Sequence, residues 1–258
     1  MNFETLMEMV PIPNIMDLKK VLFVGPHPDD IEIACGGIVK KLIDNGTEVH
    51  FLIVTDGGSG SNDPNLTIEN LKSIRYQESL DAGNYLGVAS VDVLDFPDGG
   101  IYDFHNMVKE IAAKILAILP DGICCPDPLL PTETHPDHLN CAKATGAALT
   151  VAKFRFSSER YGIEVTTEQQ LPAGTNLFYY FTHRPNLIIP ISEEELETKI
   201  KAIMHHKSQI DENFEKIKLY LYYKASSLGQ EIGSLYAEGL FALAPEHQHC
   251  FMEDITKR

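Results

Sequence analysis

Short apolar runs alternate with longer amphipathic stretches from Lys20 to about Pro126. The runs Val21 to Gly25, Val49 to Thr55, Val91 to Leu94 and Gly122 to Cys125 are close to uninterrupted, as expected of strands buried on both faces. Between them Gly37 to Asn45, Glu69 to Leu86 and His105 to Leu119 space their apolar residues as helices do, and Gly46, Gly87 and Pro120 supply the stops. Strand, helix, strand in this rhythm predicts an α/β, Rossmann-like doubly wound fold, a mostly parallel sheet with helices on both faces. Beyond Thr150 the alternation weakens. A polar stretch around Thr166 to Gln170 is followed by apolar runs Leu177 to Phe181 and Leu187 to Ile191, then by a helix from about Glu193 to Gln209. The expectation is a single domain over 1–258, with a core of about 18–150 and a C-terminal covering lobe of about 151–258.

Composition narrows the function without choosing it. At 258 residues and 44% hydrophobic content the chain can fill a large core. A formal net charge of −16 argues against nucleic acid, since neutralising phosphates needs clustered Lys and Arg. Met1 to Lys20 mixes acidic residues and Pro among its apolar ones and does not read as a signal peptide, and no run reaches membrane-spanning length. The five cysteines, Cys35, Cys124, Cys125, Cys141 and Cys250, are odd in number and scattered, which suits reduced thiols and a cytoplasmic location. Cys124 and Cys125 sit inside a strand-like run and read as small buried apolar residues.

Two acidic histidine clusters bring chemistry into this frame: Pro26-His27-Pro28-Asp29-Asp30 directly after the first strand, and His135-Pro136-Asp137-His138 entering a helix. In an open parallel sheet ligands gather outside the carboxyl ends of the strands, so the fold itself would bring both clusters to one crevice. Alone, a His-Pro-Asp turn is better explained by helix capping; the pair is harder to explain without a shared ligand. His27, Asp30 and His138 form a candidate trio for a divalent cation with a position left open for water. Asp29 is then the candidate general base and acid, and His135 the group facing a substrate carbonyl. Asp137 either orients His135 through its other ring nitrogen or serves as an ordinary carboxylate in the first turn of a helix. Arg75 and Glu78 read as a surface pair on a helix, and Asp98 is balanced between shaping a turn and binding a substrate hydroxyl. The run Tyr179, Tyr180, Phe181 and His183 is expected mostly in the core, and His205 and His206 as solvated groups near a helix end. A dinucleotide-binding protein without catalysis would suit the same sheet. Against it, acidic residues and no glycine-rich loop follow the first strand.

The motifs resemble those of the PIG-L/LmbE family: Pro-His-Pro-Asp-Asp after the first strand, Gly36-Gly37, Arg75-x-x-Glu78 with Leu86-Gly87, Asp98-Gly99 and His135-Pro-Asp-His138. The resemblance runs from about residue 18 to about residue 252. It implies a zinc-dependent hydrolase that removes acetyl from N-acetylglucosamine units, with His27, Asp30 and His138 as Zn2+ ligands, Asp29 as base and His135 as oxyanion partner. It also moves Arg75 and Asp98 to the substrate side and brings in His249 as a C-terminal residue approaching the sugar. Cys125 to His138, Tyr179 to Asn186 and Lys201 to Gln209 look most like the archaeal branch acting on diacetylchitobiose, which implies short chitooligosaccharides as substrates and a homo-oligomer, a hexamer in that branch. N-acetylglucosamine conjugates of malate or inositol are the alternative substrates. Many relatives carry Glu immediately after the Asp pair. Here Ile31 follows and Glu32 comes one later, so no role is transferred to that Glu.

Overall fold

A computed structural model describes residues 8–166, 169–172 and 174–248. Seven strands form one sheet in the order β3-β2-β1-β4-β5-β7-β6: β1 Lys20–Gly25, β2 Glu48–Thr55, β3 Ser90–Phe96, β4 Gly122–Pro126, β5 Asn176–Tyr180, β6 Leu187–Ile191 and β7 Tyr236–Leu243. The first five run parallel, and β7 is antiparallel to both its neighbours. Successive strand residues face opposite layers. Leu22 and Val24 join the core beneath α3 (Phe104–Ile118) and α4 (Pro136–Lys153), while Val21 and Phe23 join the core beneath α1 (Asp30–Asp44). Helices therefore cover both faces, and the chain order reverses between β1 and β4, where a doubly wound sheet opens its crevice.

The helices α2 (Ile68–Leu86) and α3 fall within a residue of their expected bounds. α1 does not: it starts at Asp30, seven residues before the expected Gly37. Gly36-Gly37 marks a break inside the helix, where Cys35 leaves helical geometry at φ −143°. The amide of Ile38 just beyond the break donates to Glu238 Oε2 at 2.8 Å, so a carboxylate from β7 replaces a helical acceptor. Buried Lys199 pairs with the same carboxylate.

The expected covering lobe is partly sheet. Residues beyond 150 supply α5 (Arg155–Arg160), the strands β5, β6 and β7 that extend the sheet, and, between β6 and β7 in the chain, α6 (Glu193–Ile203) packed on α1 and α7 (Phe214–Glu231) packed on β7. The helix expected to reach Gln209 ends at Ile203, with a separate 3-10 turn at Lys207–Gln209. That turn does the covering. Ser208 donates through N and Oγ to Glu78 at 2.7 and 2.6 Å, and Gln209 donates to the carbonyl of Gly60 at 3.2 Å. Among the described residues no helix is long and apolar enough to cross a membrane.

Candidate active site

The end of β1 is tied down before the first histidine. Pro26 accepts from both the amide and the hydroxyl of Thr55 at the end of β2, at 3.0 and 2.8 Å, and the Tyr180 hydroxyl donates to the carbonyl of Val24 at 2.8 Å. The chain then turns sharply. Asp29, at the N-cap of α1, has φ 104° and makes no side-chain capping bond. A non-glycine residue there carries strain of about 1–3 kcal/mol, which surrounding contacts must hold. Arg75 of α2 supplies them: its guanidinium donates to the carbonyls of Pro28 at 2.7 Å and Gly57 at 3.1 Å.

The two clusters meet over β1 and β4. Asp30 Oδ2 lies 3.2 Å from His27 Nδ1 and 3.4 Å from His138 Nε2, and it accepts the His27 amide at 3.0 Å. For ligand bonds of about 2.0–2.1 Å, a tetrahedral edge is roughly 3.3–3.4 Å, so Asp30 Oδ2 stands from each of these two imidazole nitrogens at about the separation of two ligands on one cation. His135 converges on the same place: one ring nitrogen each from His27, His135 and His138 fall within 4.8 Å of one another, as do one donor atom each from His27, Asp98, His135 and Asp137. His27 is buried, whereas the His135 side chain is 45% exposed. Phe181, itself at φ 50°, stacks on His138 with centroids 6.1 Å apart.

The second ring nitrogen of His27 faces carboxylates. His27 Nε2 is 3.0 Å from Asp137 Oδ2 and 3.4 Å from Asp98 Oδ1. Burial disfavours a charge on this imidazole, but bonds to Asp137, Asp30 and Asp98 prevail and raise its pKa to about 11. A cation binding at Nδ1 must therefore displace a proton. Asp137 is held well below the ordinary carboxylate range: burial opposes ionisation, and is outweighed by His27, the Gly99 amide at 2.8 Å and the Tyr102 hydroxyl at 2.7 Å. Asp98 is lowered in the same way, with burial outweighed by His27 and by the Ser59 amide.

Asp29 goes the other way. Burial and the adjacent charge of Asp30 push its pKa up to about 7, against the opposing pull of Arg75 3.6 Å away. Its side chain, 16% exposed, is thus a carboxylate that changes charge near neutrality beside a cluster of metal-ligand type.

Several expected roles change. Asp137 does not orient His135: its carboxylate is 3.9 Å from His135 Nδ1 and is bonded to His27 instead. His135 Nδ1 accepts the Asp137 amide at 3.3 Å, as a helix N-cap does. Arg75 forms no surface pair with Glu78. It is 3% exposed and turned toward Pro28, Asp29 and Asp98, while Glu78 holds Ser208; i, i+3 spacing says which residues share a helix face and not what covers that face. His206 is not solvated but 1% exposed, 3.2 Å from Glu32; burial resists its charge, and Glu32 prevails and raises its pKa. The expected His249 lies outside the described residues. Its neighbour His247 accepts the Ala244 amide at 3.0 Å and meets the Val10 carbonyl at 3.2 Å, so it serves the fold away from the cluster.

Two contributors escaped the sequence reading. Glu133 Oε2 sits 2.8 Å from His138 Nδ1, off the ring N–H axis, so the contact is an ion-pair approach rather than a formed hydrogen bond. Its position just before the second cluster was the available signal. Gly99 contributes a main-chain donor that no side-chain pattern could announce.

Comparisons with known proteins bear on this geometry. The sequence profile of the family described as "PIG-L: GlcNAc-PI de-N-acetylase" matches residues 22–149. The chain is 35% identical over 228 residues to a diacetylchitobiose deacetylase of Thermococcus kodakarensis, spanning 87% of this chain and 83% of that one. The chain belongs to the PIG-L family. The PIG-L match contains both histidine clusters. A solved N,N'-diacetylchitobiose deacetylase from Pyrococcus horikoshii superposes with a TM-score of 0.87 at 30% identity, covering 99% of this chain and 98% of that one. A Bacillus cereus protein described as "Probable N-acetyl-alpha-D-glucosaminyl L-malate deacetylase 2" is 28% identical over 206 residues, 76% of this chain and 86% of its own.

Proposed function

We propose that this PIG-L protein is a metal-dependent hydrolase that releases acetate from the N-acetyl group of N-acetylglucosamine units, with diacetylchitobiose and short chitooligosaccharides as substrates. One observation carries the reading: Asp30 Oδ2 flanked by two imidazole nitrogens at 3.2 and 3.4 Å, with Asp29 beside it titrating near neutrality. His27, Asp30 and His138 are the residues that would hold the ion, and mixed nitrogen and oxygen donors suit zinc. When bound, zinc supplies Lewis acidity to a water and to the amide carbonyl.

The chain's own groups do the rest. Asp29 takes a proton from the attacking water and delivers it to the amide nitrogen as the C–N bond breaks, so acetate and a free amine leave. A pKa near 7 lets one carboxyl act in both directions. The Asp137 amide can only donate, so His135 Nδ1 accepts and Nε2 carries the hydrogen, free to bond the carbonyl oxygen as negative charge develops. Arg75 holds the strained turn that presents Asp29, and Asp98 lines the same rim with its amide fixed by Asp56 at 3.1 Å.

The relatives support the choice of sugar: two are named for diacetylchitobiose, against a more distant one named for a malate conjugate. The test is acetate release from N-acetylglucosamine, diacetylchitobiose, longer chitooligosaccharides and N-acetylglucosaminyl malate, with bound metal quantified on the same sample. Diacetylchitobiose should be turned over fastest. Preference for the malate conjugate would transfer the protein to that substrate, and acetate from none of the sugars would overturn the reading.

A further inference from the structure

We infer that Tyr102 and Asn140 are positioning residues that lock the metal-binding tautomer of His27 through Asp137. The inference rests on the proposed metal site. Asp137 is a carboxylate whose side chain is fully buried, and it receives three donors: the Gly99 amide and His27 Nε2 on Oδ2, at 2.8 and 3.0 Å, and the Tyr102 hydroxyl on Oδ1 at 2.7 Å. The Tyr102 oxygen in turn accepts from Asn140 Nδ2 at 3.2 Å.

Every direction in this chain is determined by chemistry. An ionised carboxylate can only accept, so the Tyr102 hydrogen points at Asp137 and its oxygen is left for the amide of Asn140. His27 must then keep its hydrogen on Nε2, so the proton that a cation displaces comes from Nδ1, whose lone pair then faces Asp30 and the cation position. An imidazole ligand held through its other nitrogen by a carboxylate is a recurrent way of fixing ring orientation and ligand basicity. Here the carboxylate is itself fixed from outside, by a loop residue and a residue in the first turns of α4.

Tyr102 is suited to the task because its ring is anchored independently of its hydroxyl. It packs edge-on against Phe96 with centroids 5.8 Å apart and belongs to the core under α3 and α4. Tyr102→Phe should therefore keep the packing and remove one donor only. Without that donor Asp137 can rotate about its side-chain bonds, and His27 loses the fixed partner that selects its tautomer.

The test is zinc affinity of the purified full chain, measured by competition with a chromophoric chelator, beside the melting temperature of the metal-free protein. Tyr102→Phe should weaken zinc binding by about 10-fold or more, with the metal-free melting temperature close to that of the parent. Asn140→Ala should weaken it less, and the double variant should fall short of the product of the two single effects, because both act on one hydroxyl. Zinc affinity within two-fold of the parent in a folded Tyr102→Phe would overturn the inference, and so would independent, multiplicative effects of the two substitutions. Should Tyr102→Phe fail to fold, Asn140→Ala alone decides, an unchanged affinity counting against the chain of donors. A parent that binds no zinc would instead remove the metal site on which the inference stands.

Discussion

The tripeptide His-Pro-Asp occurs at both mouths of the site and is used in opposite ways. In the first copy the histidine is buried and its nitrogens are enclosed by carboxylates, while the aspartate, Asp29, stands at a strained φ of 104° and titrates near 7. In the second the histidine, His135, has a side chain 45% exposed, while the aspartate, Asp137, is fully buried and held well below its usual pKa. What separates the aspartates is the inventory of donors. Asp137 has three, whereas Asp29 has an acidic neighbour and only a distant Arg75. Two carboxylates with one local sequence thus acquire opposite electrostatics, which suits them to the two tasks proposed for them, one to move protons and one to orient a ligand.

Exchanging each for its amide tests that division most severely. Asp29→Asn should lower kcat by about 10²–10⁴-fold and leave bound metal unchanged, because the proposed mechanism uses the residue as a base and not as a ligand. Asp137→Asn should give the complementary result, metal affinity down by about 10–100-fold, with activity recovering in part as metal is raised. Measuring metal content and turnover on both proteins checks this. The same phenotype from both would erase the contrast.

Arg75 sharpens the comparison on the first side. Its planar fork spans the carbonyls of Pro28 and Gly57 and approaches Asp29 and Asp98, a set that a lysine's single ammonium cannot reach together. Arg75→Lys should cost about 10–100-fold in kcat/KM, on the scale set by misplacing a catalytic group. Metal binding should survive. Steady-state kinetics with metal analysis tests it, and near-parental activity in the lysine variant would mean that charge alone suffices there.

The aspartates should also differ in their effect on stability with pH. The folded pKa of Asp29 is raised from 3.8 to about 7, so folding is favoured with its carboxyl neutral; that contribution is complete below about pH 4 and lost as pH rises through about 7. For Asp137 the sign is reversed, with stability present at neutral pH and lost in acid. Metal-free Asp29→Asn should therefore be more stable than the parent at pH 8, by about 1–2 kcal/mol, with the gain shrinking toward pH 4. Thermal melts of both metal-free proteins across that range read it out, and a gain that persisted undiminished at pH 4 would assign it to something other than the charge of Asp29.

Legibility followed the range of the interaction. Buried parallel strands announce themselves as apolar runs, so the α/β sheet, the strand end before His27 and the helix start at His135 could be read along the chain. The convergence of the clusters followed from the fold rule for open sheets. What could not be read depends on partners remote in sequence. Ile38 finds its acceptor on Glu238 two hundred residues away, which hid the true start of α1 behind a glycine pair. Arg75 seemed superficial because nothing along its helix reveals the loop of Gly57 above it or the turn holding Glu78. α7 and β7 were not foreseen, as neither carries a periodicity clear enough to separate it from the surrounding lobe.

The smallest effect is expected where a carboxylate approaches an imidazole without the geometry of a bond. Glu133 lies as near His138 Nδ1 as Asp137 lies to His27 Nε2, yet it is off the ring axis, and its side chain is 18% exposed where that of Asp137 is fully buried. Angle and solvent both weaken the interaction, because hydrogen-bond strength falls steeply off axis and partial exposure screens the charge. Glu133→Gln should therefore lower zinc affinity by no more than about 3-fold, well below the loss from Asp137→Asn, since the exposed ion-pair scale is about 0–1 kcal/mol. Chelator competition on the two variants side by side measures the gap. Equal losses would show that Glu133 closes onto the ring axis when the metal binds, making the two proposed histidine ligands alike in their support.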